Sequence, residues 1–203
     1  MQDGLSIGKC VVWRKLAPKH ERCLHLITIA LSIAAYLRLL TRENDFRIEL
    51  FGHFALSGVL WSLGGAALLY FLLDKGLDPI LERAFPVSEA GYQETLRTLS
   101  AAPVASLLQV CVLAPVMEEI LMRGYVLQGL SISYGGALAL LVSSLLFALL
   151  HFNMVQTLSA LVCGLVIGLL YWRTGSLFCC ILTHAGYNFL SYITMILPLY
   201  REQ

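Results

Sequence analysis

The sequence predicts an all-α membrane protein, a bundle of about six transmembrane helices. Its 203 residues are 58% hydrophobic and only 13% charged, whereas roughly a quarter of the residues in soluble domains carry charge. The mean hydropathy is +0.76, and several apolar runs approach the roughly 20 residues that a helix needs to cross a bilayer. Because lipid offers no partner to exposed backbone groups and the alternating pattern of a membrane β-barrel is absent, helices are the predicted spanning elements.

The apolar runs define candidate spans within one membrane domain, residues 1–203. The first and fourth runs are shorter than the others. The first carries His25 and Arg38 near its ends, where long cationic side chains can reach the headgroups. The six candidate spans cover residues 24–40, 50–73, 103–127, 136–152, 154–172 and 176–198.

One long polar stretch, residues 74–102, separates the second apolar run from the third. It divides an N-terminal part, residues 1–102, from a motif-bearing C-terminal part, residues 103–198. We expect this stretch to be a solvated connector that touches the membrane interface. Within it, Ser88 and Glu89 are in a suitable position to start a short surface helix.

Charge and cysteine content exclude several classes of protein. A formal net charge of +1 provides no basic surface for a nucleic-acid backbone, so no nucleic-acid partner is expected. The six cysteines form no CxxC pair and lie mostly in apolar runs, so we interpret them as small hydrophobic residues. Lys and Arg are more numerous on the side of the N-terminus, which predicts a cytoplasmic N-terminus.

Three ionisable residues lie inside the third apolar run. A charge at the bilayer centre costs between about 3 and more than 10 kcal/mol, so such residues indicate function by default. Glu119 and Arg123 are four residues apart, on one helix face and in the favourable order for an ion pair. This pair can simply neutralise its own buried charges. Glu118 is rotated by about 100° from Glu119 and is left to face another element.

Three further polar residues lie in the fourth and sixth runs. His151 comes at the end of the fourth run, while His184 and Asn188 are four residues apart in the sixth and share one helix face. Pro115 precedes the acidic pair of the third run. Since proline removes a backbone hydrogen bond, we expect it to bend that helix and open space at the carboxylates.

These residue types are suited to peptide-bond hydrolysis by an activated water. A carboxylate held in a low-dielectric environment acts as a general base towards water, and a neutral histidine can share that water. A second histidine and an amide can donate hydrogen bonds to the oxyanion of the tetrahedral intermediate. Glu118 and His151 supply the first pair, and His184 and Asn188 supply the second. The sequence has neither HExxH nor GxSxG, so the zincin and serine-hydrolase templates do not fit.

Together the polar residues form three ordered motifs that resemble those of the CPBP family of intramembrane proteases. This family, also called Abi, includes CAAX prenyl proteases and bacteriocin-processing enzymes. The resemblance covers about residues 103–190. The motifs are Glu118-Glu119-x-x-x-Arg123, Phe147-x-x-x-His151 and His184-x-x-x-Asn188.

The resemblance implies an intramembrane endopeptidase that acts on a membrane-associated peptide or protein in the lipid bilayer. It implies that Glu118 and His151 activate the water and that His184 and Asn188 stabilise the oxyanion. Glu119 and Arg123 would then form a supporting pair. The chain is shorter than the eukaryotic prenyl-protein members, so the resemblance implies a prokaryotic plasma-membrane protein.

Metal dependence is open at the level of the sequence. Glu118, His151 and His184 form an alternative set of zinc ligands with an open position for water. We favour a glutamic-type protease without a cofactor, because Asn188 fits an oxyanion hole better than a ligand shell.

Two other functions also stay open. Buried Glu and His residues build proton relays in ion- or proton-coupled transporters, and a bacteriocin-immunity or scaffold protein needs no catalysis.

Two expectations concern how the helices pack. Gly164 and Gly168 have the GxxxG spacing that permits close contact between helices. Counted from the predicted loops, Glu118 lies roughly 15 Å from one membrane face and His151 about 22 Å from the same face. The fourth span should therefore be tilted, or start after Gly136, for the two side chains to meet.

Overall fold

The computed structural model describes residues 56–151 and 153–201, together with Leu31, Leu50 and Phe51. This part of the chain contains helices and no strand. Four of the helices are long and apolar enough to cross a membrane, and the predicted helical membrane bundle is confirmed. In chain order the helices are α1 (Leu56–Ala84), α2 (Pro86–Ser100), α3 (Pro103–Tyr134), α4 (Gly136–Leu149), α5 (Met154–Thr174) and α6 (Leu177–Arg201).

Five of the six predicted spans overlap with these helices. The second, third, fifth and sixth apolar runs coincide with α1, α3, α5 and α6, which are the four spanning helices. The fourth run forms the shorter α4, whose 14 residues extend about 21 Å. The predicted first span, residues 24–40 with His25 and Arg38, lies outside the described residues.

Helix α1 continues beyond the end of its apolar run. It passes through a π-helical turn, Leu73–Leu77, and ends at Ala84. The first part of the polar stretch, residues 74–84, therefore belongs to α1 and is not a connector. Its first two acidic residues, Asp74 and Asp78, are buried. The expected surface helix is present as α2, which starts slightly earlier than predicted, at a proline in the first turn where no N–H is required.

Helix α3 contains two segments in which the backbone hydrogen bonds are π-helical. Two π-helical segments, Gln109–Leu113 and Ile120–Leu127, enclose the α-helical segment Ala114–Glu119. Wider π-helical turns of this kind are frequent at functional sites. The acidic pair of the sequence thus lies at the junction between the central segment and the second π-helical one.

A proline leaves one carbonyl of α3 without its helical donor. In π-helical register the N–H of Ala114 donates to the carbonyl of Gln109, five residues earlier. The next bond in that register would join Pro115 to the carbonyl of Val110, and proline has no N–H. The Val110 carbonyl must therefore find a partner outside its own helix.

Small residues bring helices α4 and α5 into close contact. A β-carbon added at Gly168 would lie 2.3 Å from Cδ1 of Leu140, and one added at Gly164 would lie 3.1 Å from the backbone of Ser144. A side chain at either position would require a shift of its neighbour on α4, so the two glycines favour this close approach. The packing role predicted for the two glycines is confirmed.

Helices α1 and α6 form a second close pair. A β-carbon at Gly58 would lie 2.9 Å from the Cys179 sulfur. The Ser62 hydroxyl donates to the carbonyl of Cys179 at 3.1 Å, and the Thr183 hydroxyl donates to the carbonyl of Ser62 at 3.2 Å. These contacts place the face of α6 that carries Cys179 and Thr183 next to α1.

The main apolar cluster of the described residues adjoins the polar motifs. Helices α1, α3, α4, α5 and α6 all contribute to it, so the motif residues are attached to a packed frame. Its cysteines are free and buried, as expected for small hydrophobic residues. The buried members are Leu69, Leu73, Met122, Phe147, Ala148, Ala160, Cys163, Ile167 and Cys180.

Candidate active site

A cavity of about 260 Å³ lies between the helices and brings the predicted catalytic residues together. Glu118 reaches it from α3, His151 from the end of α4, and His184 and Asn188 from α6. All four side chains line this one cavity. The juxtaposition that the three motifs predict is therefore present in the structure.

The length of α3 explains how Glu118 and His151 reach the same depth. Because α3 continues to Tyr134, Glu118 lies about 24 Å along the helix from that end. Helix α4 begins at Gly136, and His151 lies about 22 Å from this point. Of the two expected alternatives, a later start of α4 is wrong, because α4 begins at Gly136. The longer α3 places the two residues at similar distances from the connection between α3 and α4, and the tilt of α4 stays a prediction.

The imidazole of His184 lies between the two adjacent glutamates. Its Nδ1 atom is 2.8 Å from Oε1 of Glu119, and its Nε2 atom is 3.7 Å from Oε2 of Glu118. Because an ionised carboxylate only accepts hydrogen bonds, Nδ1 is the donor to Glu119. The ring is thereby oriented with Nε2 towards Glu118, a contact between α6 and α3 that sequence reasoning missed.

The predicted ion pair between Glu119 and Arg123 is present and almost fully buried. Nη1 of Arg123 donates at 2.9 Å to the same Oε1 atom that receives His184, and Nη2 donates at 2.9 Å to the carbonyl of Gly164. The guanidinium also lies 5.2 Å from the centre of the Phe147 ring, a favourable cation–π distance. The pair therefore connects α3 to α5 and supports His184.

The ring of His151 is held through the backbone of its own helix. Its Nδ1 atom is 3.1 Å from the carbonyl of Phe147, and a carbonyl can only accept, so Nδ1 carries the proton. In the neutral ring Nε2 is then an acceptor. The Phe147 ring packs edge-on against His151 and His184, with centroids 5.1 and 5.6 Å apart. This contact explains the phenylalanine of the second motif.

Asn153 holds the loop that carries His151. Its side-chain oxygen caps α5 by accepting from the backbone N–H groups of Val155 and Gln156. Its amide nitrogen donates to the carbonyl of Ser88 in α2 at 2.6 Å. Sequence reasoning did not single out Asn153, although an asparagine directly before an apolar helical run is a recognised capping signal.

The side chain of Asn188 donates to the carbonyl that Pro115 leaves without a helical donor. Its Nδ2 atom is 2.9 Å from the carbonyl oxygen of Val110. An amide nitrogen carries two N–H groups, so this bond uses one of them. The second N–H is available to a substrate in the cavity.

A second polar group lines the cavity and was not predicted as part of the site. The carboxylate of Asp74 accepts from the hydroxyl of Tyr187 at 3.0 Å and from the hydroxyl of Ser191 at 2.5 Å. Asp78, one turn later on α1, accepts from the hydroxyl of Ser159 on α5. The two aspartates are four residues apart and directly follow an apolar run. This helical spacing was the sequence signal that could have predicted that α1 continues and buries both carboxylates.

Helix α2 borders the cavity through its apolar face, with Tyr92, Leu96 and Leu99 among the lining residues. Burial, together with nearby carboxylates, raises the pKa of Tyr92 well above its usual value. Its phenol therefore stays protonated, and the hydroxyl lies 3.8 Å from the sulfur of Met195 on α6. The helix predicted as a surface element thus forms one wall of the candidate site.

The zinc alternative requires three ligands that converge on one point. Among the described residues, no three His, Cys, Asp or Glu side chains are arranged to hold a metal ion. The choice between a glutamic-type protease and the alternative zinc site of Glu118, His151 and His184 stays a prediction, and no step below uses a metal.

The fold and the cavity define an integral membrane protein of the helical-bundle class, with a buried cluster of carboxylate, imidazole and amide groups. Residues 100–190 match the family model described as type II CAAX prenyl endopeptidase, Rce1-like. The matched segment contains all three motifs, and it confirms the resemblance to the CPBP family. The comparisons with curated proteins and with solved structures found no match.

Proposed function

We propose that this chain is an intramembrane endopeptidase that hydrolyses a peptide bond of a membrane-associated peptide or protein. The observation that carries the proposal is the position of His184, with Nε2 3.7 Å from Glu118 in a cavity that His151 and Asn188 also line. The match to the CAAX prenyl endopeptidase model supports the same class of reaction. A prokaryotic membrane and a cytoplasmic N-terminus remain predictions.

In the proposed reaction Glu118 is the general base. It takes a proton from a water molecule that also donates to Nε2 of His151, and the hydroxide adds to the scissile carbonyl carbon. A protonated Nε2 of His184 and the second N–H of Asn188 donate to the resulting oxyanion. The carbon–nitrogen bond then breaks as Glu118 returns the proton to the leaving amine. The products are a carboxylic acid and an amine.

The proposal is tested by cleavage assays on the full chain purified in detergent. Suitable probes are a farnesylated CAAX peptide, the same peptide without the prenyl group, and a reporter with a transmembrane segment. Glu118→Gln, His151→Ala and His184→Ala should abolish cleavage while the proteins still accumulate in the membrane. Asn188→Ala should lose about 10²–10³-fold in rate, since one oxyanion donor is removed.

Glu94→Ala is a matched control, because Glu94 is an exposed acidic residue on α2, and it should retain wild-type turnover. Turnover near the wild-type rate in Glu118→Gln would contradict the mechanism. Wild-type protein that cleaves no probe but moves protons or ions in vesicles would indicate the transporter alternative. Protein inactive in both assays would indicate the immunity or scaffold alternative.

A further inference from the structure

We propose that Asp74 is a positioning residue for the reaction and anchors the face of α6 that carries His184 and Asn188. This inference rests on the proposed function and extends it to the N-terminal half of the described chain. Asp74 belongs to α1, outside the three motifs. It acts indirectly, because its carboxylate accepts hydrogen bonds from two hydroxyl groups of α6.

One face of α6 carries the groups assigned to the oxyanion. His184, Tyr187, Asn188 and Ser191 follow the spacing of three, four and seven residues that places side chains on one helix face. All four line the cavity. Whatever fixes the rotation and position of this face also fixes the direction of the oxyanion donors.

The two oxygens of Asp74 accept hydrogen bonds from residues of that face on both sides of Asn188. Oδ1 accepts from Tyr187, one residue before Asn188, at 3.0 Å, and Oδ2 accepts from Ser191, three residues after it, at 2.5 Å. Each oxygen of Asp74 thus accepts one hydrogen bond from a hydroxyl group of α6. Asn188 is therefore located between two anchoring points on a neighbouring helix.

The backbone of α1 directs Asp74 inwards at this position. The π-helical turn Leu73–Leu77 buries both Leu73 and Asp74. The next residue, Lys75, turns away and places its ammonium group 5.1 Å from the centre of the Tyr70 ring. In the described part of the chain the ion pairs involve Arg123 and His184, so the carboxylate of Asp74 has the two hydroxyls as its partners.

The anchor coincides with a change of register in α6. Regular α-helix extends from Leu177 to Ser191, and a π-helical turn, Tyr192–Ile196, follows directly. Ser191 is thus the last residue of the α-helical segment that holds the site. The hydrogen bond from Ser191 to Asp74 fixes this segment at its C-terminal end, where the backbone hydrogen bonding changes from α-helical to π-helical.

Asp78 provides a control from the same helix. It is buried, lines the same cavity and accepts a hydrogen bond from Ser159, which belongs to α5. Substitution of Asp78 removes a comparable carboxylate without releasing α6. A difference between the two aspartates therefore reports on α6 specifically.

The decisive experiment compares Asp74→Ala in two backgrounds. We expect Asp74→Ala to lower kcat/KM by about tenfold in the wild-type background, but by no more than about threefold in the Asn188→Ala background, because Asn188, which lies between the two anchoring points and is the nearer of the two oxyanion donors, is already gone. Asp78→Ala should cause the same fold-change in both backgrounds. The Asp74→Asn variant keeps one acceptor oxygen and should retain most of the wild-type activity. Equal losses from Asp74→Ala in the two backgrounds would overturn the inference.

Hydrogen exchange gives a second measurement that does not require activity. Asp74→Ala should increase amide exchange in residues 184–191, while Asp78→Ala should leave that segment as in the wild type. If Asp74→Ala does not accumulate, Tyr187→Phe removes one anchoring bond and should show the same pattern to a smaller extent. Unchanged exchange in this segment would refute the anchor. An absence of cleavage by every protein would refute the proposed function alone.

Discussion

Nδ1 of His184 and Nη1 of Arg123 both donate to a single oxygen of Glu119, at 2.8 and 2.9 Å. Glu119 thus holds the imidazole in one orientation, while the arginine neutralises the buried carboxylate. Buried histidines with a fixed catalytic or ligand role commonly have their second ring nitrogen held in this way. The two bonds to its carboxylate therefore explain why Glu119, the second glutamate of the first motif, is an acidic residue.

The bond between His184 and Glu119 should be measurable as a coupling energy. Glu119→Gln and His184→Ala, separately and together, should give a double-mutant cycle in unfolding free energy with an interaction of about 0.5–3 kcal/mol. The cycle is measured by denaturation in detergent micelles. Pairing Glu119→Gln with Ser131→Ala, near the end of α3, supplies a control cycle with additive effects. Additivity in the His184 cycle would show that the bond contributes nothing to stability.

Asn153 should have two separable roles. Asn153→Ala removes the cap of α5 and should cost about 1 kcal/mol of stability. Asn153→Asp retains a capping oxygen but loses the N–H that reaches Ser88. We expect Asn153→Asp to melt near the wild-type temperature and to lose about three- to tenfold in cleavage rate, as one positioning hydrogen bond is lost. An Asp variant with wild-type activity would show that the link to α2 does not position His151.

The contact between α4 and α5 should tolerate no side chain at Gly168. Gly168→Ala places a methyl group 2.3 Å from Cδ1 of Leu140, a buried side chain, so either the Leu140 side chain must change its rotamer within the packed contact or the helices must separate. We expect a lower melting temperature and less folded protein, measured by fluorescence-detected gel filtration. Gly129→Ala is the matched control, because nothing lies within 4 Å of its β-carbon and alanine favours helix by about 1 kcal/mol. Equal melting temperatures for the two variants would contradict the close contact.

Removal of metal should not affect an enzyme of the proposed type. Protein dialysed against a strong chelator should keep its cleavage rate, and elemental analysis should find zinc well below one equivalent. A protein without chelator treatment serves as the reference. Activity that disappears with the metal and returns on adding zinc would assign Glu118, His151 and His184 to a coordination shell.

Sequence reasoning predicted the motif residues because their chemistry is local. Glu118, His151, His184 and Asn188 are polar groups in apolar runs, and the high cost of burying them made each conspicuous. Their meeting in one cavity followed from three ordered motifs. The bond between His184 and Glu119 joins residues 65 positions apart, and nothing in the spacing of either motif indicates which glutamate the ring approaches.

The polar stretch that begins at Asp74 was less predictable. Asp74 and Asp78 have the composition of a solvated loop, and a count of apolar residues ends the span before them. Their burial depends on hydroxyl groups of α5 and α6 that lie more than 80 positions later in the chain. Tertiary contacts with distant hydroxyls override the local preference for water. The helical spacing of the two aspartates indicates a continuing helix but not the hydroxyl groups that they meet.

The shortness of α4 has a consequence for the membrane around the protein. Its 14 residues cover about 21 Å, against roughly 30 Å of hydrocarbon, and leucines at positions 138, 141, 145 and 149 are exposed along it. Hydrophobic mismatch of this kind is relieved by local thinning of the bilayer. We expect lipid headgroups and water to lie closer to the bilayer centre near the end of α4, where His151 lies. For the proposed hydrolysis, we expect the water to reach the cavity through this thinned part of the bilayer instead of across intact hydrocarbon.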